Sequence, residues 1–143
     1  MCGIAGILRF DDAPVEQATL ERMQEAITCR GPDGRGTDIA LPSAMVHTRL
    51  SVVDLMGGHQ PMHVPAVDQH GELTLVFNGE IYNHRSLRKR LIRRGHEFVS
   101  DHCDTEVLLH GYREWGLEIA KHLHGMFAFA VWDARHRTVY LCR

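Results

Sequence analysis

The second residue, Cys2, is the side chain with the clearest capacity for chemistry in this chain. It directly follows Met1, and a cysteine is small enough for methionine aminopeptidase to remove that initiator. The processed residue would carry a thiol together with a free α-amine, whose pKa is ordinarily about 7.7–8.0. Such an amine can serve as the general base for its own thiol near neutral pH, without a catalytic histidine. By itself, however, a cysteine at position 2 is more often an incidental small residue.

Acyl transfer from an amide also needs hydrogen-bond donors for an oxyanion and charged groups for the substrate. Asn78 and Gly79 can direct a side-chain amide and a backbone N–H to one point, although Asn-Gly is also a common turn. Arg49 offers a guanidinium fork for a carboxylate, with a surface ion pair as the alternative. Glu80 and Asp104 are candidates for binding an ammonium group, and Asp104 could equally be a helix N-cap.

The predicted secondary structure places these residues near the ends of elements. Strands are predicted over 2–10, in one or two pieces over 43–53, over 72–78 with Gly79 ending the strand, over 96–100, and as a hairpin over 126–133 and 138–142. Helices are predicted over 14–28, from Asn83 to about 94, from Asp104 or Thr105 to Trp115, and over about 117–123, with loops at 30–36 and 54–65. Clustered strands with amphipathic helices between them predict a layered α+β domain, with mostly antiparallel sheets, over 1–143.

Composition excludes several classes of function. The 143 residues carry a formal net charge of -2, which gives no electrostatic basis for binding nucleic acid or an anionic membrane. The basic segment 85–94 has apolar residues at helical spacing and is interpreted as a solvated helix face. Neither a membrane-spanning apolar run nor a signal peptide is recognisable. The four cysteines form no C-x-x-C pair and the 11 histidines are scattered, so we expect no metal site and a cytoplasmic protein with reduced thiols.

Seven motifs occur in order along the chain and together carry a resemblance. They are M-C-G-I-A-G-I at the start, R-G-P-D-G at 30–34, H-T-R-L-S-V-V-D-L at 47–55, G-H-Q-P-M at 58–62, N-G-E-I-Y-N at 78–83, D-T-E-V-L at 104–108 and G-M-F-A-F-A-V-W-D at 125–133. This set resembles the glutaminase domain of class II glutamine amidotransferases over essentially the whole chain. Within that superfamily, R-G-P-D-G, R-L-S-V-V-D and N-G-E-I-Y-N resemble the glutamine-hydrolysing asparagine synthetases.

The resemblance implies the four-layer αββα fold of N-terminal-nucleophile hydrolases and a role for each matching residue. Cys2 would attack the side-chain amide carbon of glutamine, and its α-amine would relay the proton to the departing ammonia. Water would then hydrolyse the γ-glutamyl thioester, and no cofactor is implied for this domain. The other implied contacts are the oxyanion with Asn78 and Gly79, the glutamine carboxylate with Arg49, its α-ammonium with Glu80 and Asp104, and the pocket wall with the backbone of Leu50, Ser51, Val52 and Val53.

Two departures from the family pattern bear on the whole protein. Cys29 stands where family members often have a histidine before R-G-P-D. The family's domain continues beyond the strand that ends here at Arg143, and the S-G-G-x-D-S pyrophosphate loop of the synthetase domain is absent. We therefore expect a C-terminally truncated domain that can at most release ammonia, with ATP and Mg²⁺ needed only by a separate synthetase domain as its partner. An uncovered sheet edge would favour self-association, for example as a homodimer.

The sequence alone is also compatible with two functions other than glutamine hydrolysis. A catalytically silent glutamine-binding or docking module would result if Met1 were retained, because the amine that must act as base would then be acylated. Another N-terminal-nucleophile hydrolase, such as an amidase or a peptidase, would share the nucleophile. The N-G-E and R-L-S-V-V motifs argue against this last class, since they suit a free amino acid with both of its charged ends.

Overall fold

The computed structural model describes residues 1–51, 58–66 and 71–143. In these ranges the strands are β1 (Gly3–Leu8), β2 (Gly34–Ala40), β3 (Ser43–Arg49), β4 (Met62–Val64), β5 (Leu73–Ile81), β6 (Gly125–Asp133) and β7 (Thr138–Cys142). The α-helices are α1 (Gln17–Ala26), α2 (His84–Ile92) and α3 (Asp104–Trp115), and short 3₁₀ helices cover Thr28–Arg30 and Gly116–His122.

The strands form two antiparallel sheets, with orders β1-β3-β2 and β4-β5-β6-β7. Alternate residues of a strand point to opposite faces of its sheet. On β3, Val46 packs against the buried Leu20 of α1, whereas its neighbour Met45 packs against Val76 and Trp132 of the second sheet. The first sheet therefore lies between α1 and the second sheet.

The outer face of the second sheet is covered by α2 and α3. Leu75 and Phe77 of β5 pack with Leu87 of α2 and Leu108 of α3 in one buried apolar cluster. The order of the layers is thus helix, sheet, sheet, helix. This arrangement confirms the predicted α+β class, the αββα layering and the antiparallel sheets.

Most predicted elements occur, but several boundaries differ. The first strand, the helix that ends before Gly116 and the terminal hairpin are confirmed, whereas α1 begins only at Gln17. The predicted loops contain strands: β2 starts within 30–36 and pairs with β3, and β4 lies within 54–65 and pairs with β5. The strand predicted over 96–100 is wrong, because the backbone N–H groups of Val99 and Ser100 bind the carboxylate of Glu106 instead of a neighbouring strand.

Tertiary contacts also involve the residues that the sequence predicts to end or cap elements. β5 does not stop at Gly79 but continues to Ile81. Asn83 precedes α2 without a side-chain cap, and its Nδ2 donates to the carbonyl of His122 at 2.9 Å. Asp104 is the first residue of α3, and its carboxylate accepts a hydrogen bond from Ile81 N. These side chains therefore connect elements that are distant in the sequence.

His47 lies between the two sheets with 1% of its surface exposed, and its Nε2 has no hydrogen-bond partner among the described residues. Burial lowers the pKa of His47 from 6.5 to about 4; the Phe77 backbone acts in the opposite direction and Arg49 adds to the decrease. The folded chain therefore keeps this ring neutral at pH values at which the unfolded chain protonates it.

We expect the free energy of unfolding to fall as the pH is lowered from about 7 to about 4, by up to about 3 kcal/mol from His47 alone. The loss begins near the unfolded pKa of 6.5 and is complete near the folded pKa of about 4. Urea unfolding at a series of pH values measures it. His47→Gln should flatten this dependence and His102→Gln, at an exposed histidine, should not. Identical pH dependence in the wild type and His47→Gln would contradict the prediction.

Candidate active site

Cys2 lies at one end of the first sheet, beside the end of β3. The strands β1 and β3 are antiparallel with Gly3 opposite Thr48, so the residue before β1 meets the residues that follow Thr48. Cys2 Sγ is 3.4 Å from the backbone nitrogen of Leu50 and 3.7 Å from its carbonyl oxygen. Backbone groups at the end of β3 therefore hold the half-buried thiol in place.

The R-G-P-D loop fixes both sides of this arrangement. Arg30 Nε donates to the carbonyl oxygen of Cys2 at 3.1 Å. Asp33 Oδ2 accepts a hydrogen bond from Ser51 N at 2.8 Å. The loop thus positions the nucleophile and the chain that passes it. The motif is visible in the sequence, but these two contacts are not predicted from it.

Gly79 occupies a position in β5 that no other residue fits without displacing backbone. Its φ is 145°, a conformation that residues with a side chain rarely adopt. A Cβ atom at this position would lie 2.1 Å from Met126 O in β6. The pairing of β5 with β6 therefore depends on a glycine here.

On both sides of Gly79, side-chain oxygens accept hydrogen bonds from the backbone N–H groups at the pocket-facing edge of β5. Phe77 N donates to Gln60 Oε1 at 2.6 Å, and Ile81 N donates to Asp104 Oδ2 at 3.1 Å. Backbone N–H groups along a strand alternate between its two edges, so the Gly79 N–H points to the same edge as those of residues 77 and 81. Since Gly79 lines the pocket, its N–H is positioned to donate to an oxyanion formed there.

Asn78 and Arg49 approach the same pocket from the two sheets. Asn78 Oδ1 is buried and has no hydrogen-bond partner within the part of the chain that the structure describes. Arg49, the last residue of β3, is 8% exposed. Their polar groups are therefore enclosed by protein at the wall of the pocket, where they can contact a bound polar molecule.

The Asp104 carboxyl lies at the start of α3 and faces β5. Burial raises the pKa of Asp104 above its ordinary value, while the hydrogen bond from Ile81 N and the nearby His84 act in the opposite direction. An ammonium group bound in the pocket would favour the ionised carboxylate, because an opposite charge at close range stabilises the charged form. A ligand with a positively charged end would therefore lower the pKa of Asp104 again.

One pocket of about 230 Å³ brings most of the sequence-predicted site residues together: Cys2, Arg49, Leu50, Asn78, Gly79, Glu80 and Asp104. Ser51 follows Leu50 and is held by the R-G-P-D loop. The other two predicted pocket residues, Val52 and Val53, lie outside the described residues. The structure thus assembles the predicted residues from four separate regions of the chain, and their individual roles stay predictions.

The pocket also contains residues that are not among those predicted from the sequence. Met1 lines it beside Cys2, and the other such residues are Gly58, Gln60, Phe77, Cys103, Thr105 and Met126. Gln60 belongs to the G-H-Q-P-M motif and Thr105 to D-T-E-V-L. Both motifs can be recognised in the sequence, but only the folded structure shows that they lie next to β5.

Among the described residues, no group of three or more His, Cys, Asp and Glu side chains could hold a metal ion. The helices of the same ranges include none that is long and apolar enough to cross a membrane. All four cysteines are free thiols.

Solved structures share this arrangement of sheets and helices. The glutamine phosphoribosylpyrophosphate amidotransferase of B. subtilis, complexed with ADP and GMP, matches with a TM-score of 0.53 and 22% identity, over 64% of this chain and 21% of that chain. A structure described as the allosteric regulatory enzyme of purine biosynthesis matches with a TM-score of 0.51 and 27% identity, over 62% of this chain and 21% of that chain. The fold is that of the N-terminal-nucleophile glutamine amidotransferases.

The chain belongs to the family described as "Glutamine amidotransferase domain", whose model matches residues 1–143. Asparagine synthetase (glutamine-hydrolyzing) 3 of Bacillus subtilis (strain 168) is 43% identical over 145 residues, covering 100% of this chain and 23% of the relative. Asparagine synthetase (glutamine-hydrolyzing) 2 of the same strain is 35% identical over 146 residues, covering 100% of this chain and 19% of the relative. Asparagine synthetase (glutamine-hydrolyzing) 3 of Arabidopsis thaliana is 33% identical over 144 residues, covering 100% of this chain and 24% of the relative.

These matches confirm the resemblance to the glutaminase domain of asparagine-synthetase-like amidotransferases. The chain spans between 19% and 24% of the length of these three relatives.

Proposed function

We propose that this chain hydrolyses glutamine to glutamate and ammonia through a γ-glutamyl thioester on Cys2. The observation that carries the proposal is the assembly of a thiol, a guanidinium, an oxyanion donor and two carboxylates around one pocket. The guanidinium and the carboxylates suit the two charged ends of a free amino acid. The thiol and the donor suit its side-chain amide.

The first half-reaction forms the thioester. After removal of Met1, the α-amine of Cys2 takes the thiol proton, and the thiolate attacks the side-chain amide carbon of glutamine. The carbonyl oxygen becomes an oxyanion that accepts hydrogen bonds from the Gly79 N–H and the Asn78 amide. The carbon–nitrogen bond then breaks as the protonated amine of Cys2 returns its proton to the leaving nitrogen, which departs as ammonia.

The second half-reaction releases glutamate. The amine of Cys2, neutral again, takes a proton from a water molecule as that water attacks the thioester carbon. The same oxyanion donors stabilise the second tetrahedral intermediate. Its collapse breaks the carbon–sulfur bond, the thiolate leaves and is reprotonated by the amine, and glutamate is released without a cofactor.

The charged residues at the pocket support a binding mode for the amino-acid end of glutamine. Arg49 would hold the α-carboxylate through its planar guanidinium, and Glu80 and Asp104 would hold the α-ammonium. These contacts are present in the ground state as well as in the transition state, so they contribute mainly to KM. The residues around Cys2 contribute mainly to the chemical steps.

In the whole protein, the ammonia would pass to a synthetase domain, as the relatives named as glutamine-hydrolyzing asparagine synthetases suggest. Asparagine synthesis is the acceptor reaction that we propose. ATP and Mg²⁺ would be required by that synthetase domain and not by residues 1–143. A cytoplasmic location and reduced thiols fit this chemistry, because Cys2 must remain a free thiol.

A silent glutamine-binding module is the second candidate, and the position of Met1 supports it. Met1 lines the pocket next to Cys2. While Met1 remains attached, the nitrogen of Cys2 is an amide and cannot accept a proton. The unprocessed chain would therefore have a nucleophile without its base, in a pocket that the methionine helps to line.

The decisive experiment compares processed and unprocessed protein. Intact mass first establishes whether Met1 is present. Ammonia release is then measured with glutamine and asparagine as substrates, and glutamate release is measured with glutamine and γ-glutamyl peptides. We expect turnover of glutamine by the processed chain and none by a chain that retains Met1. Equal rates for both forms would contradict the role of the α-amine, and preference for a peptide would favour a different hydrolase.

A further inference from the structure

Gln60 connects the oxyanion donors to the start of α3. Its side-chain oxygen accepts the Phe77 N–H at 2.6 Å, its side-chain nitrogen lies 3.5 Å from Thr105 Oγ1, and the residue lines the pocket. Phe77 directly precedes Asn78, and Thr105 directly follows Asp104. The Gln60 carboxamide thus contacts the chain neighbours of Asn78, the proposed oxyanion donor, and of Asp104, the proposed ligand of the ammonium group.

The register of the second sheet explains why a side chain is needed at this point. β4 pairs with β5 only from Leu73 to Leu75, through its own residues Val64 to Met62. Phe77 is the next residue on β5 whose N–H points to the β4 side, and β4 has already ended there. The Gln60 side-chain oxygen occupies the position that a backbone carbonyl of a longer β4 would take. It adds one hydrogen bond to this edge of β5, from the Phe77 N–H.

The backbone of Gln60 is also fixed, so the acceptor cannot easily move away. A Cβ atom on Gly36 of β2 would lie 1.8 Å from the Gln60 carbonyl oxygen, so the two backbones are in direct contact. The first sheet therefore holds the segment before β4 from one side and β5 holds its side chain from the other. This arrangement gives the Val76–Phe77 peptide, which directly precedes Asn78, a defined orientation.

We propose that Gln60 is a positioning residue that orients the Asn78–Gly79 oxyanion donors through the Phe77 N–H. This inference rests on the proposed glutamine hydrolysis. Oxyanion donors act mainly on the transition state, because the charge they stabilise is absent from bound glutamine. Loss of the Gln60 acceptor should therefore lower kcat more than it raises KM.

The test uses the processed chain and three variants. Gln60→Met keeps the length of the side chain but removes the oxygen acceptor. Gln60→Glu restores an oxygen in the same place. Gln17→Met makes the same chemical change at an exposed residue of α1. For each variant, kcat and KM for glutamine and the melting temperature are measured, and glutamine binding is measured in a Cys2→Ala background.

We expect Gln60→Met to lower kcat by about tenfold or more, less than the roughly 10²–10³-fold loss typical of removing an oxyanion donor itself. KM, and glutamine affinity in the Cys2→Ala background, should change by less than about threefold, since the charged ends of glutamine are bound elsewhere. Gln60→Glu should recover part of kcat, and Gln17→Met should match the wild type.

Three results would overturn the proposal. They are an unchanged kcat in Gln60→Met, equal losses in Gln60→Met and Gln60→Glu, and a Gln60→Met variant that has no cooperative melting transition. The last would make Gln60 a residue required for folding. Failure of the proposed function is recognised separately, because it would be an absence of glutamine turnover in the processed wild type.

Discussion

Replacing Cys2 with alanine should abolish glutamine hydrolysis while leaving glutamine binding intact. The variant retains the α-amine after processing and the charged groups of the pocket, but it has no atom to form the thioester. Loss of an essential nucleophile typically lowers kcat by about 10⁴-fold or more. Glutamate release by purified Cys2→Ala, together with calorimetric titration of glutamine, measures both parts of this expectation.

The chain offers a matched control for this substitution. Cys29 is exposed and lies outside the residues that line the pocket. Cys29→Ala removes the same thiol group at a site with no proposed catalytic role, and it should keep full activity. Comparable loss of activity in both variants, or residual turnover by Cys2→Ala near the wild-type rate, would contradict the assignment of the nucleophile.

Gly79→Ala should impair both catalysis and stability. The added Cβ would lie 2.1 Å from Met126 O and 2.6 Å from Phe127 Cα, so β5 and β6 must separate or Gly79 must rotate. Its φ of 145° adds strain for any residue with a side chain. Either movement displaces the N–H that we assign to the oxyanion, and we expect kcat to fall by about 10²–10³-fold.

Gly95→Ala separates the two causes of this effect. Gly95 also has a positive φ, of 93°, but among the described residues other than its two chain neighbours none has an atom within 4 Å of the position that a Cβ would take there. It shares the backbone strain of Gly79 without the close approach to a neighbouring strand. We expect Gly95→Ala to lower the melting temperature slightly and to keep kcat. A Gly79→Ala variant that behaves like Gly95→Ala would show that the β5–β6 contact does not control the site.

The sequence by itself determined the class of fold and the chemical character of the site. Alternating apolar residues identify the central strand over 72–78, because period-two patterns arise directly from strand geometry. Two strand-like segments on either side of A-R-H-R identify the terminal hairpin. Residue chemistry is enough to select the candidates: Cys2 after Met1, the Asn-Gly pair, and the charged residues Arg49 and Asp104. The ordered motifs then specified the family, which the comparisons confirm.

Only the tertiary structure decided how the edge of β5 is completed. The sequence leaves Asp104 as either a helix cap or a substrate ligand, and its bond to Ile81 N depends on α3 packing against β5. The G-H-Q-P-M motif does not by itself predict a role for Gln60. Its side chain accepts the Phe77 N–H because β4 ends before it could pair with Phe77. Local patterns encode strands and caps, whereas a contact between residues far apart in the chain depends on register and layer packing.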